Sequence, residues 1–180
     1  MYFLAKTFLM FSIVGHLTSI KITWENDVSF NTNETDFERM PNWLLIFPGT
    51  KWCGAGNISN NDNDLGEFSD TDKCCRTHDF CDDFIEGYQT KHNLTNPSFY
   101  TRLNCKCDKE FYKCLKSVNS KPSMQIGHIY FTALGTQCFK KEYPVVKCIN
   151  FTYLPRKKCV KYEYNTCKEK VYQWFDVPNF

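Results

Sequence analysis

The sequence lacks a long hydrophobic run, an excess of charge of one sign and any internal repeat or low-complexity tract. The uncharged run between Lys6 and His16 is nine residues long, whereas a membrane-spanning helix needs about 20. The formal net charge of +2 excludes a strongly basic arm for nucleic acid and an acidic tail. A G-x-S-x-G nucleophile motif is also absent, which argues against a serine lipase. The length of 180 residues allows one globular domain.

Cysteine, by contrast, is abundant. All 11 cysteines fall between Cys53 and Cys167, a density that indicates zinc or redox chemistry in the cytosol but a disulfide framework in a secreted protein. The N-terminus carries Lys6, then an apolar stretch from Phe8 to Gly15, then small and polar residues, which is the layout of a signal peptide. We therefore interpret residues 1–19 as a signal peptide, the protein as secreted and extracellular, and the cysteines as disulfide-bonded.

Residues 20–44 contain no cysteine, and the part from Ile20 to Arg39 has a net charge of −3. This stretch is interpreted as a propeptide with cleavage near Arg39, and a plain N-terminal extension is the alternative. Residues 45–180 then form the mature domain. Asn-X-Ser/Thr sequons, which predict glycan sites on surface loops, occur at Asn33, Asn57, Asn93 and Asn150.

Patterns of residue type predict three helices followed by strands. The first helix is expected from about Ser69–Thr71 to Phe84, the second over Tyr100–Ser117 and the third over Ser123–Leu134, with a loop at 87–98. Beyond Pro144 the pattern alternates, which predicts an antiparallel hairpin with Val160, Tyr162 and Tyr164 on one face. The fold class is therefore α+β, a small disulfide-rich domain.

The spacing of cysteines on the first two helices predicts a site. Cys74, His78 and Cys81 lie at i, i+4 and i+7, on one helical face. Cys107 and Cys114 are also seven apart, which suggests an antiparallel helix pair joined by Cys74–Cys114 and Cys81–Cys107. His78 would then face the second helix near Asp108, as the one histidine beside a carboxylate. The alternative is that His78 merely packs between the helices.

A bond from Cys75 to Cys53 would pull the glycine-rich loop 52–56 against Asp79. Glycines let a backbone turn its carbonyls inward, and carbonyl and carboxylate oxygens are the ligands that Ca²⁺ prefers. The remaining expected pairs are Cys105–Cys138 and Cys148–Cys159. Cys167 is then left over, to bridge to a second chain or to be capped by a small thiol. A Cys148–Cys167 bond that leaves Cys159 unpaired is the alternative.

These motifs resemble the secreted phospholipase A2 family, specifically its bee-venom type (group III). The resemblance extends over about Ile46 to Phe180. The matching motifs are Trp52-Cys53-Gly54-Ala55-Gly56, Cys74-Cys75-Arg76-Thr77-His78-Asp79, Cys105-Lys106-Cys107-Asp108 with Cys114, Tyr130-Phe131 before Cys138, and Val171-Tyr172-Gln173-Trp174-Phe175.

The resemblance implies calcium-dependent hydrolysis of the sn-2 ester of glycerophospholipids. His78 would be the general base, Asp108 would orient it, and Tyr130 would hydrogen-bond within that network. One Ca²⁺ per chain would be held by Asp79 and by the carbonyls of Trp52, Gly54 and Gly56. A second hypothesis is a binding module, such as a toxin or receptor ligand, and a third is a purely structural domain. The retained Asp79 favours catalysis, because a basic residue there would abolish calcium binding.

Charge is unevenly distributed along the chain. Residues 62–86 have a net charge of −7 and residues 87–180 a net charge of +10. The basic half, with aromatic side chains such as Trp174 expected to be exposed, is therefore predicted to dock on anionic phospholipid membranes or micelles.

Overall fold

The computed structural model describes residues 45–180. The signal peptide expected at 1–19, the propeptide expected at 20–44 and the Asn33 sequon lie outside the described residues. Within the described range, no helix has both the length and the apolar character needed to cross a bilayer.

The helices are α1 (Ser69–Asp79), α2 (Cys105–Val118) and α3 (Lys121–Gly127), and α3 continues as a π-helical turn over His128–Ala133. The strands are β1 (Phe84–Ile85), β2 (Thr90–Lys91), β3 (Leu94–Thr95), β4 (Arg102–Leu103), β5 (Gln137–Glu142), β6 (Val145–Thr152), β7 (Lys158–Tyr164) and β8 (Val171–Asp176). They form four two-stranded antiparallel sheets, which pair β1 with β4, β2 with β3, β5 with β8 and β6 with β7.

The two main helices are both shorter than predicted, for one shared reason. Helix α1 ends at Asp79 rather than Phe84, and α2 begins at Cys105 rather than Tyr100. Phe84–Ile85 instead pairs with Arg102–Leu103 as strands β1 and β4, and the Asn104 amide donates to the Asp83 carbonyl at 2.9 Å. The Asn104 side chain then caps α2, a common N-cap role for asparagine. Cys81, expected on the first helix, lies just beyond its end.

The third helix begins two residues earlier than predicted, at Lys121. Ser120 and Ser123 form a reciprocal capping box at its start, which satisfies two backbone N–H groups that a helix end otherwise leaves unpaired. The π-helical turn stops before Gly135, whose φ of +64° lies in the left-handed region that glycine adopts without strain.

The predicted hairpin is confirmed as β6–β7. Tyr162 and Tyr164 pack against the core as expected, but Val160 is exposed. Register shifts in this ladder interrupt the alternation on which the prediction for Val160 depended. The β5–β8 pair was not predicted, since its strands are joined only through a long connection.

Five disulfide bonds join the elements, and they support the α+β, disulfide-rich fold class. Two of them, Cys74–Cys114 and Cys81–Cys107, connect the α1 segment to α2 in opposite chain directions, so the helices are antiparallel. The others are Cys53–Cys75, Cys105–Cys138 and Cys148–Cys159, and Cys167 is free and exposed. The core beside α2 is apolar and includes Phe111, Leu115, Ile126, Phe131 and Phe175.

Candidate active site

His78 is held against Asp108 between the two disulfide-joined helices. Its Nε2 lies 2.8 Å from Asp108 Oδ1, and both side chains are buried. The imidazole stacks on Phe111 with ring centroids 4.2 Å apart. Because a carboxylate oxygen accepts, Nε2 carries the proton in the neutral ring. His78 Nδ1 is then the acceptor nitrogen, which is the position of a general base.

Tyr130 completes this hydrogen-bond network. Its hydroxyl donates to Asp108 Oδ1 at 2.9 Å, and its ring meets His78 edge-on. Burial, together with the nearby Asp108 charge, raises the pKa of the Tyr130 hydroxyl well above its ordinary value. Tyr130 therefore stays protonated and keeps donating to the carboxylate. The other oxygen, Asp108 Oδ2, is buried and has no partner among the described residues.

The π-helical turn that carries Tyr130 is braced from β7. Lys158 is buried, and its ammonium donates to the carbonyls of Phe131 at 2.6 Å and Val177 at 2.8 Å. Burial lowers the pKa of Lys158. The three elements that meet at this lysine are β7, the turn and the C-terminal segment. Sequence reasoning missed this contact, because a lysine in an alternating strand is ordinarily solvated.

Several carbonyls of loop 52–56 have no hydrogen bond from a described residue. The carbonyl of Lys51 accepts from the Ile58 amide, and that of Cys53 accepts from the Phe47 amide. No hydrogen bond from a described residue reaches the other carbonyls of the loop, those of Trp52, Gly54, Ala55 and Gly56. Loop 52–56 is attached to α1 by the Cys53–Cys75 bond.

At two positions of this loop, the backbone geometry explains why the residue is glycine. A Cβ on Gly54 would overlap the Leu45 carbonyl, because an isolated bridge pairs Gly54 with Ile46. Gly56 has a φ of +79°, in the left-handed region, where other residues are strained.

Asp79, the last residue of α1, has no hydrogen bond or ion pair with any described residue. Its side chain keeps contact with solvent, yet neighbouring atoms partly desolvate the carboxylate. That desolvation, with the charge of Asp72, raises the pKa of Asp79 to about 7. A carboxylate without a basic partner, on a helix that the Cys53–Cys75 bond joins to a loop with unused carbonyl oxygens, fits the hard oxygen donor set of Ca²⁺.

Asp72 is a site residue that sequence reasoning missed. It is fully buried, and its carboxylate accepts from the backbone N–H groups of Lys51 at 3.0 Å, Trp52 at 2.8 Å and Gly66 at 2.8 Å. This one side chain therefore organises the backbone that leads into loop 52–56. Its only signal in the sequence was an acid in the first helical turn, which predicted a favourable helix end and no more.

Comparisons of the sequence with known proteins show to which family the chain belongs. A family model described as Phospholipase A2 matches residues 46–142. A Phospholipase A2 of Bombus pensylvanicus is 52% identical over 138 residues, which is 76% of this chain and 100% of that protein. The Bombus terrestris Phospholipase A2 is 53% identical over 135 residues, 74% of this chain and 98% of that protein.

This chain belongs to the phospholipase A2 family. The Phospholipase A2 of Apis mellifera is 46% identical over 137 residues, or 76% of this chain and 80% of that protein. The resemblance to the bee-venom type is therefore confirmed, and the protein is an enzyme that hydrolyses phospholipid.

The enzyme has an open cleft of about 520 Å³ beside His78. His78, Phe80 and Phe111 line it together with charged residues of both helices, among them Arg76 and Lys106. A cleft of this size can admit a lipid head region next to the imidazole.

A second imidazole–carboxylate pair corrects the expectation that His78 alone faces a carboxylate. His92 Nε2 lies 2.9 Å from Asp83 Oδ1, and its ring stacks on Tyr172 at 3.8 Å. Burial acts to raise the pKa of Asp83, but hydrogen bonds from His92, Lys91 and Asn104 outweigh it and lower the pKa. The His92–Asp83 contact attaches the turn between β2 and β3 to the residue that precedes β1.

The expectation that Trp174 is exposed is wrong. Trp174 is partly buried on β8, and the buried Arg102 guanidinium lies 4.9 Å from its ring centroid. Its pairing across β5–β8 could not be read from the local pattern.

Proposed function

We propose that this phospholipase A2 hydrolyses the sn-2 acyl ester of glycerophospholipids through a water molecule activated by His78. The single observation that carries the proposal is the 2.8 Å contact between His78 Nε2 and Asp108, which leaves Nδ1 to accept a proton. No covalent enzyme intermediate is needed.

His78 Nδ1 takes one proton from the water as its oxygen bonds to the ester carbonyl carbon. Asp108 stabilises the resulting imidazolium and holds the ring in place, and Tyr130 holds Asp108. The imidazolium then returns the proton to the departing glycerol oxygen, which releases a free fatty acid and a lysophospholipid. General-base assistance of this kind contributes about 10²- to 10⁴-fold in rate.

We propose that one Ca²⁺ binds to Asp79 and to the carbonyls of Trp52, Gly54 and Gly56. When bound, the ion supplies Lewis-acid stabilisation of the negative charge that develops on the ester carbonyl oxygen. The Gly54 N–H would assist as a hydrogen-bond donor to the same oxygen. The carbonyls of Trp52, Gly54 and Gly56, which accept no hydrogen bond from a described residue, and the unpaired carboxylate of Asp79 support this ligand set.

The test is a calcium titration of hydrolysis on phospholipid vesicles, with both products identified by mass spectrometry. Fatty acid and lysophospholipid should appear only with calcium, and a chelator should stop the reaction. The Asp79→Asn variant should need far more calcium. Equal hydrolysis in chelator would contradict the calcium role, and absence of hydrolysis by the wild-type enzyme would favour the binding module.

We propose that residues 1–19 are removed as a signal peptide and that 20–44 are removed as a propeptide, to leave a secreted enzyme. The family match that begins at residue 46 supports this boundary. Asn57, Asn93 and Asn150 are all exposed, as glycan acceptors must be. N-terminal sequencing of secreted protein and glycosidase treatment test these proposals, and a mature chain that begins before residue 20 would contradict both cleavages.

We propose that Cys167 bonds to a second chain or a small thiol. Cys167 is exposed in the turn after β7, where an unpaired thiol is readily oxidised. Electrophoresis with and without reductant, followed by peptide mapping, distinguishes the two partners. A monomer whose Cys167 can be alkylated without reduction would contradict the proposal.

A further inference from the structure

The loop that joins β6 to β7, residues 153–157, is termed here the hairpin tip. Two adjacent apolar side chains project from it, with Leu154 86% exposed and Tyr153 67% exposed. Single exposed apolar residues are common on protein surfaces, but a contiguous exposed patch marks an interaction site. Pro155 follows directly and adds further apolar surface.

The hairpin tip is held in place rather than fraying. The Asn179 side-chain amide donates to the carbonyls of Leu154 at 3.2 Å and Arg156 at 3.3 Å. The Cys148–Cys159 bond joins the two strands below the tip. The two apolar side chains are thus presented on a braced loop, so that their insertion into a partner would cost little ordering of the backbone.

The hairpin that carries the tip is basic. Residues 145–164 include five bases and one acid, a net charge of +4. One of these bases, Lys158, is buried, and the acid, Glu163, is paired with Lys147. Arg156 and Lys157 lie within the tip itself. The Lys157 ammonium lies 4.4 Å from the Phe151 ring centroid, at the base of the tip.

The hairpin tip also contacts the segment that follows the π-helical turn. The Arg156 guanidinium donates to the Leu134 carbonyl at 3.5 Å, directly after the π-helical turn that carries Tyr130. On and after that turn, Ile129 is 50% exposed and Leu134 is 41% exposed. Two further exposed apolar side chains therefore belong to the segment that Arg156 contacts.

We propose that the hairpin tip docks the enzyme on anionic phospholipid bilayers, with Tyr153 and Leu154 inserted at the acyl-chain boundary and Arg156 and Lys157 against lipid phosphates. Apolar side chains flanked by cations match a surface that is apolar below and negatively charged above. The inference rests on the proposed function in one respect, since it takes the lipid surface that holds the substrate as the partner.

The experiment measures binding to vesicles of ether-linked phospholipids, which cannot be hydrolysed at the sn-2 position, so that binding is separate from turnover. One vesicle is anionic phosphatidylglycerol and the other is zwitterionic phosphatidylcholine. The double variant Tyr153→Ser with Leu154→Ser should bind the anionic vesicle at least about tenfold more weakly. The matched control is Tyr88→Ser, which removes an aromatic of similar exposure, 64%, and should bind within about twofold of wild type.

Charge is tested separately with Lys157→Gln. Its affinity for the anionic vesicle should fall about fivefold, the effect of one lysine near such a surface. Its affinity for phosphatidylcholine should stay unchanged, and added salt should reduce the difference from wild type. Wild-type binding that is equal on the two vesicles and insensitive to salt would overturn the electrostatic part of the proposal.

A tryptophan variant reports insertion into the bilayer by its fluorescence. Leu154→Trp should show emission that shifts to shorter wavelength with vesicles and is quenched by lipids brominated on the acyl chains, whereas Tyr88→Trp should show neither change. The docking proposal is overturned if the double serine variant binds like wild type, or if the tryptophan at position 154 stays in water. Hydrolysis of dispersed short-chain phospholipid by the double variant, expected to match wild type, reports on the proposed function alone.

Discussion

The imidazole of His78 has contacts on three sides, with Asp108 at one nitrogen, Phe111 against its face and Tyr130 at its edge. This arrangement holds the ring in one orientation and assigns its two nitrogens different roles. The buried carboxylate binds the protonated nitrogen, which leaves the other nitrogen for water. We therefore expect a substitution of His78 to affect turnover far more than folding.

His78→Gln should remove general-base catalysis, with kcat reduced by about 10²-fold or more. Glutamine can still donate toward Asp108, so the thermal midpoint and the calcium affinity should remain close to those of wild type. The measurements are steady-state kinetics, thermal unfolding and calcium calorimetry. His92→Gln is the matched control, since it removes the other carboxylate-bound histidine and should leave kcat within a few-fold. Turnover by His78→Gln within tenfold of wild type would refute the assignment.

Calcium binding should weaken at acid pH because of Asp79. Only the carboxylate form binds the ion, and the pKa of this group in the calcium-free protein is raised to about 7. The calcium dissociation constant should therefore rise about tenfold per pH unit below that value. Calorimetry at pH 5.5, 6.5 and 8 measures this dependence. A constant affinity over this range would contradict it.

The same raised pKa predicts how stability changes with pH. The folded protein binds the Asp79 proton more tightly than the unfolded chain does, so the calcium-free unfolding free energy should fall as pH rises from about 4 to about 7. The unfolding free energy of Asp79→Asn should not show this fall with rising pH. Denaturant titrations in chelator at pH 5 and 8, with both proteins, measure the difference.

At the scale of elements, loop 52–56 depends on helix α1 through one covalent bond and one carboxylate. Cys75 attaches the loop, and Asp72 binds the three backbone N–H groups that precede or face it. Asparagine at position 72 has a single acceptor oxygen, and its amide group would face a donor. At least one buried N–H would lose its partner, at a cost of about 1–3 kcal/mol.

Asp72→Asn should therefore unfold at a lower temperature and bind calcium more weakly, while kcat at saturating calcium recovers most of its wild-type value. Asp70→Asn is the matched control. This acid lies in the same helical turn but is exposed and bonded only to Lys73, so its calcium affinity should not change. Calcium calorimetry well below both unfolding temperatures measures the effect. A lower unfolding temperature with unchanged calcium affinity would show that Asp72 supports the fold alone.

At the scale of the whole molecule, disulfides stabilise the domain according to the length of chain that each closes. Cys74–Cys114 spans 40 residues and Cys148–Cys159 spans 11. Loop entropy predicts losses of about 4 and about 3 kcal/mol, respectively, when each is removed. Replacement of each pair by alanine, followed by denaturant unfolding, measures the two losses.

Removal of the shorter disulfide should also lower stability without lowering catalysis. Removal of Cys148–Cys159 affects the β6–β7 hairpin and should leave hydrolysis of dispersed substrate near wild type. Removal of Cys74–Cys114 releases one end of the helix pair that positions His78 and should reduce kcat. The opposite order of kcat losses would show that the hairpin, and not the helix pair, maintains the site.

Local periodicity explains why the sequence alone predicted the α+β class, the disulfide-joined helix pair and the hairpin. A spacing of four places Cys74 and His78 on one face of α1, and a spacing of seven does the same for Cys107 and Cys114 on α2. Alternation in residues 159–164 similarly predicts a strand. These are properties of neighbouring residues, and the phospholipase motifs are equally local.

Features that depend on distant partners were decided only by the tertiary structure. Helix α1 ends at Asp79, ahead of the segment that pairs as β1 with the distant β4, and the local pattern does not show this pairing. Asp72 becomes a loop organiser, and Lys158 a buried brace, because backbone groups far away in sequence need partners where water is excluded. Trp174 is partly buried because β8 pairs with β5. Burial of unpaired polar groups is costly, and which groups are buried is set only when the whole chain has packed.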